Sequence, residues 1–141
     1  MILLDTNVVS ETMRPSPDPG VVAWLDDQVA ETLYLSSVSL AELLLGIAML
    51  PDGRRKSALG KSLDTRATVL FGPRVLAFDQ VAAEIFARIV SRTRASGVSI
   101  GMADAQIAAT AAAHGFAVAT RDRAPFEAAG LAVINPWRMP A

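Results

Sequence analysis

Short, continuously apolar runs alternate along this chain with stretches whose apolar residues recur at helical spacing. Ile2 to Leu4 is the first run, and it stops at Asp5-Thr6-Asn7, an acid followed by two capping residues. A buried strand that ends this way suits the opening strand of a parallel sheet. The breaker cluster Arg14-Pro-Ser-Pro-Asp-Pro-Gly20 predicts a loop, and Asp18 leads into a helix through Ala30 with Val21, Val22, Trp24, Leu25 and Val29 on its apolar face. Leu33 to Ser36 predicts a second strand. From Ser39 a helix carries Leu40, Leu43, Leu44 and Ile47 inward until Pro51 ends it, and a basic helix follows from Arg54 to Leu70.

Arg74 to Phe78 predicts a third strand. Asp79 then caps a helix through Arg94 whose apolar face is Ala82, Ile85, Phe86 and Ile89. Ser96 to Gly101 reads as a loop, and Met102 to His114 as an alanine-rich helix closed by Gly115. Phe116 to Ala119 is a fourth strand ending in Thr120-Arg121-Asp122. A short helix around Phe126 and a last strand, Ala132 to Ile134, precede Asn135-Pro136-Trp137. Strands alternating with helices predict one α/β domain over residues 1–141, a three-layer α/β/α sandwich with a mainly parallel central sheet. Strand order is not readable from pattern. In such sheets the working site lies beyond the carboxyl ends of the strands.

Composition narrows the chemistry. The chain has 141 residues, is 52% hydrophobic and 19% charged, and contains no cysteine and one histidine. Disulfides, thiol nucleophiles, cysteine zinc sites and multi-histidine relays are therefore excluded, and the lack of cysteine suits a reducing cytoplasm. The most apolar stretches, Val38 to Leu50 and Met102 to Ala119, are broken by Glu42 and by Asp104 with Gln106. Neither supplies the ~20 apolar residues of a membrane span. Met1 to Asp5 has no cationic lead and reads as a strand rather than a signal peptide.

The net charge of −1 hides an asymmetry: residues 1–50 sum to −6 and residues 51–141 to +5. Basic clusters at Arg54, Arg55, Lys56, Lys61 and Arg66, and at Arg88, Arg92 and Arg94, are either solvated helix faces or nucleic-acid contacts.

Two acids, Asp5 and Asp122, follow the ends of the first and fourth strands, and Glu42 and Asp104 sit near helix starts at the same edge. Four converging carboxylates would attract a hard divalent cation, because Mg²⁺ and Mn²⁺ prefer oxygen ligands. An oxygen-only site is also the only metal site this composition permits. Each acid has a structural alternative. Glu42 completes a capping box with Ser39, Asp104 complements a helix dipole, Asp5 caps a helix and Asp122 opens a turn.

Taken together, Met1-Ile-Leu-Leu-Asp5-Thr6-Asn7, Ser39-Leu-Ala-Glu42-Leu-Leu-Leu-Gly46, Ala103-Asp104-Ala-Gln106-Ile-Ala-Ala-Thr110, Ala119-Thr120-Arg121-Asp122 and Val133-Ile-Asn135-Pro136-Trp137 resemble the PIN-domain nucleases. More narrowly they resemble the VapC/FitB-like toxins of type II toxin–antitoxin pairs. The resemblance implies a Mg²⁺- or Mn²⁺-dependent endoribonuclease, dimeric and held inactive by a cognate antitoxin. It implies Asp5, Glu42, Asp104 and Asp122 as the catalytic, metal-holding quartet and Thr6, Asn7 and Thr120 as polar support. Many relatives place a second acid just after the last motif; here Pro125 stands before Phe126, so Asp122 carries the fourth charge alone.

The mechanism implied is metal-assisted hydrolysis of an RNA phosphodiester, with Arg121, Arg123, Arg54 and Arg55 as candidates to meet the RNA backbone. Three other readings remain: a catalytically idle binding module of the same fold, a stand-alone RNA-processing nuclease, and a phosphotransfer receiver. The last wants a lysine near the late strands, and Lys56 and Lys61 both lie mid-chain.

Overall fold

Successive residues of a strand face opposite sides of a sheet, so the apolar pair Leu3 and Leu4 needs cover on both faces. In the computed structural model, which describes residues 1–139, both are buried in separate cores. The last two residues of the expected domain, 140–141, lie outside the described residues. Strand β1 (Ile2–Leu4) is the middle of a five-stranded sheet with β2 (Leu33–Ser36), β3 (Val75–Leu76), β4 (Ala117–Ala119) and β5 (Val133–Ile134). Every neighbouring pair is parallel, in the order β3-β2-β1-β4-β5. β1 pairs with β2 through Leu3 against Tyr34, and with β4 through Leu3 against Val118.

The helices are α1 (Thr6–Thr12), α2 (Pro19–Asp26), α3 (Ser37–Ala48), α4 (Arg54–Thr65), α5 (Gln80–Ala95), α6 (Met102–His114) and α7 (Arg123–Ala128). One core joins Leu4 to Val8, Val21, Trp24, Leu43 and Leu63, from α1 to α4. The other joins Leu3 to Ile89, Ile107, Val118 and Phe126, from α5, α6, β4 and α7. This is the expected α/β/α sandwich. α6 is buried continuously from Ile107 to Ala111, where small alanines let neighbours approach it on every side. Its end is fixed by Gly115, whose φ of 70° is left-handed and costs glycine nothing.

Several expected boundaries move. α2 ends at Asp26 rather than Ala30, and Val29 is 63% exposed, so its apolar match to the helix period is coincidental. The third strand is Val75–Leu76 only. The basic helix changes at Arg66 into a π-helical stretch through Phe71, which turns Phe71 into the core while Val69 and Leu70 stay exposed. α3 begins two residues before Ser39. Its N-cap is Ser36, a fully buried side chain that accepts a hydrogen bond from the Ser39 backbone N–H at 2.9 Å. The Ser39–Glu42 capping box therefore does not exist, and Glu42 lies in the helix body, free for another use. Leu44, expected inside, is 54% exposed. With Leu45, Met49 and the exposed Ala41 and Ala48 it forms an apolar stripe along α3.

Candidate active site

The chain runs outward from β1 to β3, then crosses back to β4 on the other side of β1. The order thus reverses beside β1, and the crevice of such a sheet opens at that point, beyond the strand ends. Asp5 follows β1 and Thr120-Arg121-Asp122 follows β4, so the two loops are neighbours there. The Asp5 backbone N–H donates to the Ala119 carbonyl at 2.9 Å, which continues the ladder past the end of β1.

Asp5 is the buried floor of the site, 5% exposed. Its Oδ1 accepts from the Thr6 backbone N–H at 2.8 Å, which caps α1, and its Oδ2 accepts from Thr120 Oγ1 at 2.8 Å. Thr120 Oγ1 also accepts from Asn7 Nδ2 at 3.3 Å and from the Asp122 backbone N–H at 3.0 Å. Asn7 Oδ1 accepts from the Arg121 backbone N–H at 3.4 Å. Across the cleft, Thr6 Oγ1 donates to Glu42 Oε1 at 2.7 Å and lies 3.0 Å from Ser39 Oγ. Of the three expected supports, Thr120 bonds Asp5 and Thr6 bonds Glu42, while Asn7 bonds no acid and instead ties Thr120 to the Arg121 backbone. Asp104 is half-buried in the first turn of α6, and Glu42 and Asp122 are exposed at the rim.

The capping and cleft roles coexist at Asp5, because one oxygen caps α1 while the other meets Thr120. Burial pushes its pKa up from 3.8 to about 6, against the hydrogen bonds from Thr120 and Thr6, with the charges of Asp104 and Glu42 adding to the rise. Burial also raises Asp104, helped by the charges of Asp122 and Glu42. Asp5 and Asp104 therefore both feel the Glu42 charge, and Asp104 feels Asp122 as well. Ion pairs among the described residues join Arg14 to Glu11, Lys56 to Asp52 and Arg123 to Glu127, and involve none of the four.

No three acids or histidines among the described residues stand close enough to enclose an ion together. Among the described residues the acids therefore form no finished cage. That suits Mg²⁺, which keeps several waters and takes only one or two carboxylates besides substrate phosphates. The all-oxygen donor set and its unneutralised repulsion fit such a cation.

The candidate RNA-contacting arginines separate. Arg55 lines a groove of about 490 Å³ that begins at Thr6 and Glu42 and passes Ser10, Gly46 and Arg14. Arg54 is exposed and outside that groove. Arg123 Nε donates to Glu127 Oε1 at 2.7 Å along its own helix. The Arg121 guanidinium lies over the Trp137 ring, 5.3 Å from its centroid. A second cavity, also about 490 Å³, is lined by Leu4, Val9, Leu25, Leu33 and Phe71 and touches none of the four acids.

Two contributors escaped sequence reasoning. Ser39 was assigned to a cap, although Ser36 stands three residues earlier with the same capping chemistry. Trp137 carries no signal of a role in sequence, because its proximity to Arg121 depends on a strand order that pattern does not reveal.

A family model for the PIN domain matches residues 2–131. Toxin FitB of Neisseria gonorrhoeae is 50% identical over 137 residues, covering 97% of this chain and 99% of that protein. VapC ribonuclease Y4jK of Sinorhizobium fredii is likewise 50% identical, over 97% of this chain and 98% of its own length. Among solved structures, FitAcB from Neisseria gonorrhoeae superposes with a TM-score of 0.94 at 49% identity, over 99% of this chain and 100% of that one.

Proposed function

This chain belongs to the PIN-domain family, and from that premise we propose that it is a Mg²⁺- or Mn²⁺-dependent endoribonuclease of the cytoplasm. We read it as one domain over residues 1–141 that acts as the toxin of a type II toxin–antitoxin pair. The observation that supports the reading most is the charge coupling of Asp5 to Asp104 and Glu42, and of Asp104 to Asp122 and Glu42, with no ion pair among the described residues to neutralise them. Asp5 is buried and its pKa is pushed up to about 6, the kind of perturbation that gathers at functional sites.

Asp5 and Asp104 would hold the principal cation, with Asp122 and Glu42 at the rim. When bound, the cation supplies positive charge to the phosphoryl oxygens and acidifies the attacking water. Asp5 is immobile because Thr120 and the α1 N-terminus each hold one of its oxygens. Glu42, aimed by the Thr6 hydroxyl, orients the water and takes its proton at the carboxylate. Asp122 faces solvent, where the leaving oxygen would collect a proton. No covalent nucleophile is required, in keeping with the absence of cysteine.

A toxic activity needs restraint, and an antitoxin arginine inserted among the four acids would supply the missing counter-charge. We also take the protein to be a homodimer. The experiment is cleavage of RNA by purified, partner-free protein. Cleavage with Mg²⁺ or Mn²⁺ that stops on chelation is expected; undiminished cleavage in excess EDTA would sink the metal mechanism.

A further inference from the structure

Arg121 is one residue from Thr120, which holds Asp5, and one residue from Asp122. Consecutive Cα atoms are about 3.8 Å apart, so Arg121 is rooted in the wall of the cleft itself. Its backbone N–H is tied to Asn7 Oδ1, and its guanidinium lies over Trp137. Trp137 is itself anchored. Its backbone N–H donates to Asn135 Oδ1 at 3.0 Å, Asn135 and Pro136 are buried, and the ring packs on the core that contains Trp24 and Val21.

A cation over a ring is held by the quadrupole of the aromatic face, an attraction that uses no hydrogen-bond acceptor. The guanidinium is thus steadied while its N–H donors stay available, and no ion pair among the described residues consumes them. A planar fork of N–H donors matches the oxygens of a phosphate. Arg121 is exposed, so a polyanion can reach it. The other arginine beside β4 differs in this respect: Arg123 spends its Nε on Glu127.

We propose that Arg121, steadied on Trp137, grips an RNA backbone phosphate next to the one being cleaved, as a positioning residue. The inference rests on the ribonuclease reading and deepens it. A phosphate fixed on this side would set where the strand enters the cleft, leaving the acids to act on its neighbour. Trp137 acts through Arg121, by limiting the rotamers the long side chain would otherwise explore.

The test compares wild type with Arg121→Ala, Arg121→Lys and Trp137→Phe in steady-state cleavage of a short single-stranded RNA with Mg²⁺. It is paired with melting curves and with RNA binding by each protein on an Asp104→Asn background. Arg121→Ala should raise KM roughly tenfold, as loss of a charge-assisted phosphate contact does, with kcat nearly unchanged. Its binding should also lose about one unit of salt dependence. Arg121→Lys should recover part of the affinity and the full salt dependence, and Trp137→Phe should raise KM by a smaller factor with its melting temperature close to wild type.

Unchanged KM and salt dependence in Arg121→Ala would overturn the proposal, and a lower melting temperature alongside them would make the pair a structural clasp only. Wild-type protein that neither binds nor cleaves RNA would overturn the ribonuclease reading, and this inference with it. Cleavage by wild type with no effect at Arg121 would overturn the inference alone.

Discussion

At the scale of single residues the decisive quantity is charge that has nowhere to go. Asp5 has a pKa of about 6 when folded and about 3.8 when unfolded, so between those pH values the folded chain binds more protons than the unfolded one. Stability is then highest below about pH 4 with respect to this group, and falls as pH rises through 6. A shift of this size corresponds to a loss of about 3 kcal/mol across the window, because each pKa unit is worth about 1.4 kcal/mol. Asp104 is displaced in the same direction and adds to the slope. The melting temperature of metal-free protein should therefore drop between pH 4 and 6.5, and Mg²⁺ at neutral pH should restore it by binding only the native state. Asp104→Asn removes one repelling charge and should hold or raise the metal-free melting temperature while abolishing the response to Mg²⁺. A variant that melts lower, beside a wild type indifferent to Mg²⁺, would return Asp104 to the role of a helix-dipole residue.

The elements show what periodicity reveals and what it leaves hidden. β1, α5 and α6 were legible because each carries its own boundary signals: Asp5 after β1, Asp79 capping α5 through the Ala82 N–H, and Gly115 closing α6. The start of α3 was misplaced because three serines share one strand–helix junction, and only tertiary burial selects Ser36 as the cap. The shared edge of Asp5 and Asp122 was legible, since residues following neighbouring strands of a parallel sheet leave it at the same end. The hydrogen bonds linking Thr6 to Glu42 and Thr120 to Asp5 were hidden, because they join residues 36 and 115 positions apart in sequence. Hydrophobic pattern also could not say which apolar face remains in water. On α3, Leu44, Leu45 and Met49 are 54%, 63% and 78% exposed. Glu42 is the only charge on that helix. A stripe of this kind, running along one straight helix, can pack against its own two-fold copy in an isologous interface. Light scattering should give a dimer for partner-free wild type and a monomer of unchanged helicity for Leu45→Glu. A monomeric wild type at high concentration would refute it.

For the molecule as a whole, the strand order has a consequence for how the activity could be divided. β1 and β2 belong to the first fifty residues, yet in the sheet they lie between β3 and β4, which come later. Glu42 and Asp5 travel with the first part, Asp104 and Asp122 with the second. A break at Leu50–Pro51, just before an exposed turn, gives fragments of −6 and +5. Each exposes the sheet edge and core face the other covers, and opposite net charge speeds their encounter at low salt. Neither fragment alone should cleave RNA. Mixed, the two should recover cleavage, sooner at low ionic strength than at high; an active single fragment, or an inert mixture, would refute this. The enzyme would then behave as a two-input gate, its output present only where both gene pieces are expressed in the same cell.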